Sequence, residues 1–300
     1  MYINHNGMAT NVANTLTGHY GNLQTSTQRL SSGMRINSAA DDAAGLAISE
    51  LMRADVAALN QGVRNANDGI SLIQTADGAL GVIDEKLIRM KELAEQAATG
   101  TYDSTQRLMI ESEYQQMASE ITRIANATDF NGIKLLDGTL SAMNNADGTI
   151  HDGSGLTSLG ALKVHFGTAN DSAEDYYYIE IGNCTASALG VGNAARAGSA
   201  GSTISTQQAA QEALVAINNA IVSKDKIRAH LGAMQNRLEN TVTNLTVQSE
   251  NLQAAESRIR DVDVATEMTN FVRNQVLTQS AVAMLSQANS MPQMALQLIG

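Results

Sequence analysis

The chain has 300 residues, a formal net charge of −11, three Phe, no Trp, one Pro and one Cys. The acidic balance argues against nonspecific nucleic-acid binding, which needs clustered Lys and Arg against phosphate. The lone Cys184 excludes an intrachain disulfide, and the scarcity of large aromatics argues against an ordinary compact globule, whose core they usually dominate.

Glycine divides the sequence. Eleven of the 24 Gly fall in 138–205, flanked by Gly-poor, strongly periodic arms. In the N-terminal arm a first seam runs Leu16, Tyr20, Leu23, Thr27 and Leu30, a heptad-like spacing broken by Ser31-Ser32-Gly33. Ser38 and Asp41 form an [ST]-x-x-[DE] signal for the start of a long helix. Its seam is Val56, Leu59, Val63, Ala66, Ile70, Ile73, Ala76, Leu80, Ile83, Leu87, Met90, Ala94 and Ala97, with a stop at Gly100. A second helix restarts near Asp103 and ends before the turn signal Asn131-Gly132.

The middle, 138–204, predicts one hairpin. Lys163–Phe166 and Tyr176–Ile181 read as strands, linked by 167–175. Because 140–200 carries no seam, replacing 144–158 with a short Gly/Ser linker is expected to be tolerated. In the C-terminal arm Ser205 and Gln208 form a capping box. The seam then runs Ile227, Leu231, Met234, Leu238, Thr241, Leu245, Gln248, Leu252, Ala255, Ile259 and Val262. Beyond it lie Met268, Phe271, Val272, Val276, Leu277, Val282, Met284 and Leu285.

The predicted fold is therefore mainly α: a long antiparallel coiled-coil or bundle rod of the two arms, with a small hairpin-bearing lobe. Three parts are expected: 1–36 with 265–300, 37–137 with 205–264, and 138–204. The terminal stripes, Leu16, Tyr20, Leu23 and Leu30 with Met268, Phe271, Val272, Val276 and Leu285, lie beyond the matched bundle. An apolar stripe without shelter inside its own chain implies a partner. Seams this short, weakened at Gly7, Gly18 and Gly21, predict termini that are disordered alone and helical once docked.

Catalytic chemistry finds little support. No two of the five His are spaced i, i+4, so no zinc motif exists. Gly190, Gly192 and Ala195 match G-x-G-x-x-A, but the helix signal comes only at Ser205, so a flexible loop is the better reading. Asp41-Asp42 sits at a helix start, where carboxylates complement the helix dipole. Asp261 and Asp263 read as capping or solvated acids, or as intermolecular ion-pair partners with Arg258 or Arg260. Cys184 has no neighbouring His or second Cys and reads as structural. No catalytic residue, cofactor or metal is expected. No run of about 18 apolar residues occurs, so no membrane insertion is expected. No basic start precedes an apolar core, so no cleaved signal is expected either.

Four blocks carry a resemblance. Gln28 to Ile48 reads Gln-Arg-Leu-Ser-Ser-Gly-Met-Arg-Ile-Asn-Ser-Ala-Ala-Asp-Asp-Ala-Ala-Gly-Leu-Ala-Ile. With Arg64 to Ser71 and Thr128 to Gly132 it resembles the N-terminal signature of bacterial flagellins. Asn251 to Asp263, reading Asn-Leu-Gln-Ala-Ala-Glu-Ser-Arg-Ile-Arg-Asp-Val-Asp, resembles their C-terminal signature. The likeness covers about 1–137 and 205–300. Gly7, Gly18, Gly21, the short insert and Cys184 depart from the family pattern.

The resemblance implies a non-enzymatic subunit that polymerises with copies of itself into the extracellular flagellar filament. It implies export without cleavage through the flagellar type III export apparatus. The further partners implied are an export chaperone for the C-terminal tail, the filament cap and hook-junction proteins, and a host Toll-like receptor. Leu87 to Ala94 resembles the segment that receptor grips, which makes Arg89, Leu93 and, on the next helix, Glu113 candidate contacts. The alternatives are a hook–filament junction protein with the same termini, or a cytoplasmic coiled-coil scaffold.

Overall fold

A computed structural model of the chain describes residues 6–141, 160–171, 174–192 and 200–299. The expectations for 144–158, Ala195, His5 and His151 lie outside the described residues. The fold is mainly helical: α1 (Gly7–Ser32), α2 (Ala43–Ala98), α3 (Ser104–Ala127), α4 (Ala186–Leu189), α5 (Gln207–Arg260) and α6 (Val264–Ile299). Two antiparallel hairpins interrupt them, β1 (Asp129–Phe130) with β2 (Ile133–Lys134), and β3 (Leu162–His165) with β4 (Tyr176–Ile179). The chain divides into two compact units, 1–56 with 249–300, and 57–248.

The central unit, 57–248, holds the large core. The expected seam of the long N-terminal helix is buried from Leu59 through Ala66, Ile73, Ala76, Leu80, Ile83, Leu87, Met90 and Ala94 to Ala97. Leu72 and Leu93 join it, which widens the apolar stripe. From α3 it receives Tyr114, Ala118, Ile121 and Ala125. Along α5 the buried seam begins well before Ile227, at Ala210, Ala213, Ile217, Ala220 and Lys224. It continues through Leu231, Met234, Leu238 and Leu245. Gln248 is exposed and Ser249 is buried in its place.

Lys224 occupies a seam position and is only 1 % exposed. Its ammonium lies 2.5 Å from the carboxylate of Asp84 on α2 and 2.8 Å from that of Asp225. A buried charge survives only where carboxylates replace its water. Arg228, one turn along, donates from Nε to Asp77 Oδ1 at 2.7 Å. These two contacts pin the register of α5 on α2.

The helix boundaries differ from the sequence signals by a few residues. Ser38 does not start α2. Its N–H and hydroxyl, with the N–H of Asn37, bond the Asp41 carboxylate in a turn, and Asp42 Oδ1 caps α2 by accepting from Gly45 N. These bonds, from Ser38 first, hold the exposed Asp41 carboxyl below its ordinary pKa. Thr206, not Ser205, caps α5, accepting from Ala209 N through Oγ1. Asp103 caps α3 with a reciprocal bond from Gln106, where the restart was expected. Asn131-Gly132 does more than end a helix. With φ of 52° and 82° it makes the tight turn between β1 and β2, a hairpin the strand signals missed because each strand has two residues.

The β3–β4 hairpin packs Val164 and Ile179 inward and is anchored from above by side chains. The Arg237 guanidinium stacks 3.5 Å over the Tyr177 ring, and Asn65 Nδ2 donates to His165 O at 2.8 Å. Phe166 runs so close to α2 that a Cβ on Gly62 would sit 2.0 Å from its carbonyl oxygen. A Cβ on Gly78 would meet nothing within 4 Å. Gly62→Ala should therefore lower stability by about 1–3 kcal/mol through overpacking against backbone. Gly78→Ala should raise it by about 0.5–1 kcal/mol through helix propensity alone. Thermal unfolding of the two variants, which should shift in opposite directions, checks both.

Candidate functional site

The terminal unit is built around α1 and α6, which pack along each other antiparallel, Asn6 beside Ala288 and Arg29 beside Glu267. Both are helices in the chain by itself, against the expectation of disorder, because each shelters one face of the other. α1 is capped by Asn6 Oδ1 on Ala9 N and ends at Gly33, whose N–H bonds Arg29 O.

The packed faces include Leu16, Leu23, Leu30, Phe271 and Leu285 of the expected stripes and leave Tyr20, Met268, Val272 and Val276 outside. On α1 the covered line is Val12, Leu16, His19, Leu23, Ser26 and Leu30, while Tyr20 and Thr27 point outward. On α6 it is Glu267, Phe271, Asn274, Thr278, Ala281, Leu285 and Ala288. Ser26, Glu267 and Thr278 are buried. Other apolar side chains turn away: Tyr20 is 51 % exposed, Met268 45 %, Val272 49 % and Val276 54 %. Val282, Met284 and Met294 are exposed with them. The packed line is mixed, Val12, Leu16, Leu23, Leu30, Phe271 and Leu285 beside Ser26, Glu267 and Thr278, and a set of apolar side chains on α6 is left at the surface.

Pro292 lies inside α6 and has no N–H for the carbonyl four residues back, at Ala288. Asn6 Nδ2 supplies the missing donor, bonding Ala288 O at 2.8 Å. One side chain thus caps α1 and repairs α6, fixing their register at this end. At the other end Arg29 lies 3.7 Å from Asp41 and 4.0 Å from Glu267, with its Nε buried and unbonded.

The connectors are clamped together. Met34 bridges Asp261, Arg35 N donates to Arg260 O at 2.6 Å, and Val262 N donates to Gly33 O at 3.0 Å. Arg260 pairs within the chain with Glu50 at 2.9 Å and with Glu256 at 3.8 Å. Asp263 caps α6 through Ala265 N and the Thr266 hydroxyl. Ile36 is buried beneath the clamp.

The receptor-contact candidates lie in the central unit and divide. Leu93 is buried in the core and presents no side chain to a partner. Arg89 and Glu113 are exposed and bonded to each other: Arg89 Nε and Nη2 donate to Glu113 Oε1 at 3.0 and 2.8 Å, and Nη1 donates to Glu92. Glu113, then Glu92, raises the Arg89 pKa. Arg89 is therefore an α2–α3 bridge as well as a surface donor, which helix periodicity alone could not reveal.

Other sequence candidates are structural. Gly190 C-caps α4 with a left-handed φ of 75°, and Gly192 N bonds Gly201 O. Burial pushes the Cys184 thiol up to about 12, which keeps it protonated and unreactive. Among the described residues no group of three or more His, Cys, Asp or Glu is placed to hold a metal, and no helix is long and apolar enough to cross a membrane.

Residues 3–141 match the family described as the bacterial flagellin N-terminal helical region, and 214–299 match the bacterial flagellin C-terminal helical region. A flagellin of Bacillus subtilis is 43 % identical over 310 residues, a flagellin of Halalkalibacterium halodurans 42 % over 301, and a flagellar filament 33 kDa core protein of Treponema phagedenis 42 % over 299. Each alignment covers 100 % of both chains.

The Asn6–Ala288 bond makes a test of the pair. Asn6→Ala should destabilise α1–α6 by about 1 kcal/mol or more, through the lost cap and the orphaned carbonyl. In a Pro292→Ala background, where α6 bonds its own carbonyl, the same substitution should cost less, a coupling of about 0.5–1.5 kcal/mol. Hydrogen exchange of α1 and α6 amides in the four chains of the cycle measures it.

Proposed function

Because the chain belongs to the bacterial flagellin family, we propose that it is a structural subunit that polymerises through α1 and α6 into an extracellular flagellar filament. The observation that carries this reading is the apolar surface that the terminal helix pair leaves exposed on α6. Water opposes a helix pair that buries Ser26, Glu267 and Thr278 and exposes Met268, Val272 and Val276. Docking on neighbouring copies would cover that face, and each Val, Leu or Met removed from water contributes roughly 1.5–3 kcal/mol. Several such residues per subunit outweigh the cost of association, which is of order 4–15 kcal/mol. The role is structural, with no chemistry assigned to any side chain.

Export through the flagellar type III apparatus fits a chain with one Cys and one Pro, since neither a disulfide nor many slow peptide-bond isomerisations would impede passage unfolded. A chaperone on the α6 segment would keep its apolar face from other copies before export, and the cap and hook-junction proteins would meet the same termini at the filament ends. A truncated chain ending at Val264 should keep most of its helical circular-dichroism signal, stay monomeric, and fail to extend filament seeds. Polymerisation of that chain at the full-length rate would show that the terminal pair is not the assembly element.

Recognition by the host Toll-like receptor would use Arg89 and Glu113 at the surface, with Leu93 acting only through packing beneath them. The guanidinium would exchange part of its bonding to Glu113 for receptor acceptors, as exposed planar donors do at interface hot spots. Arg89→Ala should weaken receptor signalling by monomers about tenfold or more, the loss of one hot-spot side chain, with helicity unchanged. Signalling by the variant at the wild-type dose would remove Arg89 from the contact.

A further inference from the structure

The terminal pair places thioethers at its surface where aliphatic carbon would serve as well. Met8 is 59 % exposed on α1, and Met268, Met284 and Met294 are 45 %, 58 % and 47 % exposed on α6. Met90 and Met234, by contrast, lie buried in the core of the central unit. Val272, Val276 and Val282 are exposed on α6 among these sulfurs, with polar side chains such as Thr269, Ser280 and Gln287 also at the surface.

We propose that Met8, Met268, Met284 and Met294 form an oxidative modification site that controls assembly, with hydroperoxides as the reacting class. This rests on the reading that the same face docks on neighbouring copies. The sulfur lone pair attacks one peroxide oxygen. An S–O bond forms as the O–O bond breaks, sulfur loses two electrons, and the departing hydroxide takes the proton of the transferred oxygen and leaves as water. The product sulfoxide is strongly polar. In the free subunit water solvates it at no cost. In a docked subunit it would be stripped of water beside aliphatic side chains, which opposes docking. Oxidised subunits are therefore excluded from the polymer, while subunits already docked keep their sulfurs out of reach of solvent. Met109, 69 % exposed on α3 and outside the terminal unit, is the internal control.

The test exposes full-length monomers to hydrogen peroxide, maps sulfoxides by peptide mass spectrometry, and measures elongation on filament seeds. Elongation should fall at least tenfold as sulfoxide accumulates at the four positions, and a methionine sulfoxide reductase should restore it. A chain with all four replaced by Leu should elongate after peroxide at the rate it shows untreated, whereas Met109→Leu should remain sensitive. In preformed filaments the four sites should oxidise more slowly than in monomers. Wild-type chains that elongate at full rate with all four positions oxidised would overturn the proposal, as would a four-Leu chain inhibited as strongly as wild type. If the four-Leu chain does not assemble untreated, the wild type decides: loss that tracks the four sulfoxides and reverses with the reductase supports the site, and loss that tracks Met109 overturns it. Failure of untreated wild-type monomers to extend seeds would instead overturn the assembly reading and this site with it.

Discussion

Water sets the constraint on which this protein's behaviour depends: a helix pair cannot rest comfortably with its apolar faces outward. α1 and α6 pack through a mixed line, Leu16, Leu23, Leu30, Phe271 and Leu285 with Ser26, Glu267 and Thr278, and leave Met268, Val272 and Val276 to solvent. The pairing satisfies enough backbone and shelters enough surface to keep both segments helical. It leaves apolar side chains of α6 uncovered. A unit of this kind is stable enough to have a shape and exposed enough to seek more copies of itself, which is what an assembling subunit requires.

The central unit resolves the same pressure within one chain. Its seams from α2, α3 and α5 close on each other, and the hairpins cap them. There the difficult residue is a charge. Lys224 sits in the seam of α5 and is carried by Asp84 and Asp225. Apolar neighbours would pack as well but would accept neighbouring registers, whereas a buried ammonium accepts only the register that brings Asp84 to it. One unit thus uses polarity to fix an internal alignment, and the other leaves apolar surface free for an external one.

Between these extremes the connectors and the α1–α6 ends are held by single, specific bonds. Asp41 organises the turn before α2, Arg260 binds Glu50, and Asn6 gives its amide to the carbonyl that Pro292 leaves bare. The Pro292 contact shows why a helix-breaking residue can stand inside a helix. The lost donor is replaced from the partner helix, so the defect in α6 becomes the point at which α1 is registered.

By itself the sequence determined the helical class, the Gly-rich division, the α2 seam and the turn at Asn131-Gly132. Each of these rests on local periodicity or on a backbone preference that near neighbours decide. The family signatures in 28–48 and 251–263 were legible in the same way, as fixed strings. What only the tertiary structure decided was the direction in which each stripe faces. Tyr20 and Thr27 satisfy the heptad as well on paper as His19 and Ser26, since adjacent residues lie only about 100° apart on a helix and two seams can be drawn through the same segment. The choice is made by the partner helix. Likewise Lys224 ended the sequence reading of the α5 seam at Ile227, because a charge looks like a surface position until Asp84, 140 residues away in the chain, is brought beside it. Local sequence sets the period, and long-range packing sets the phase.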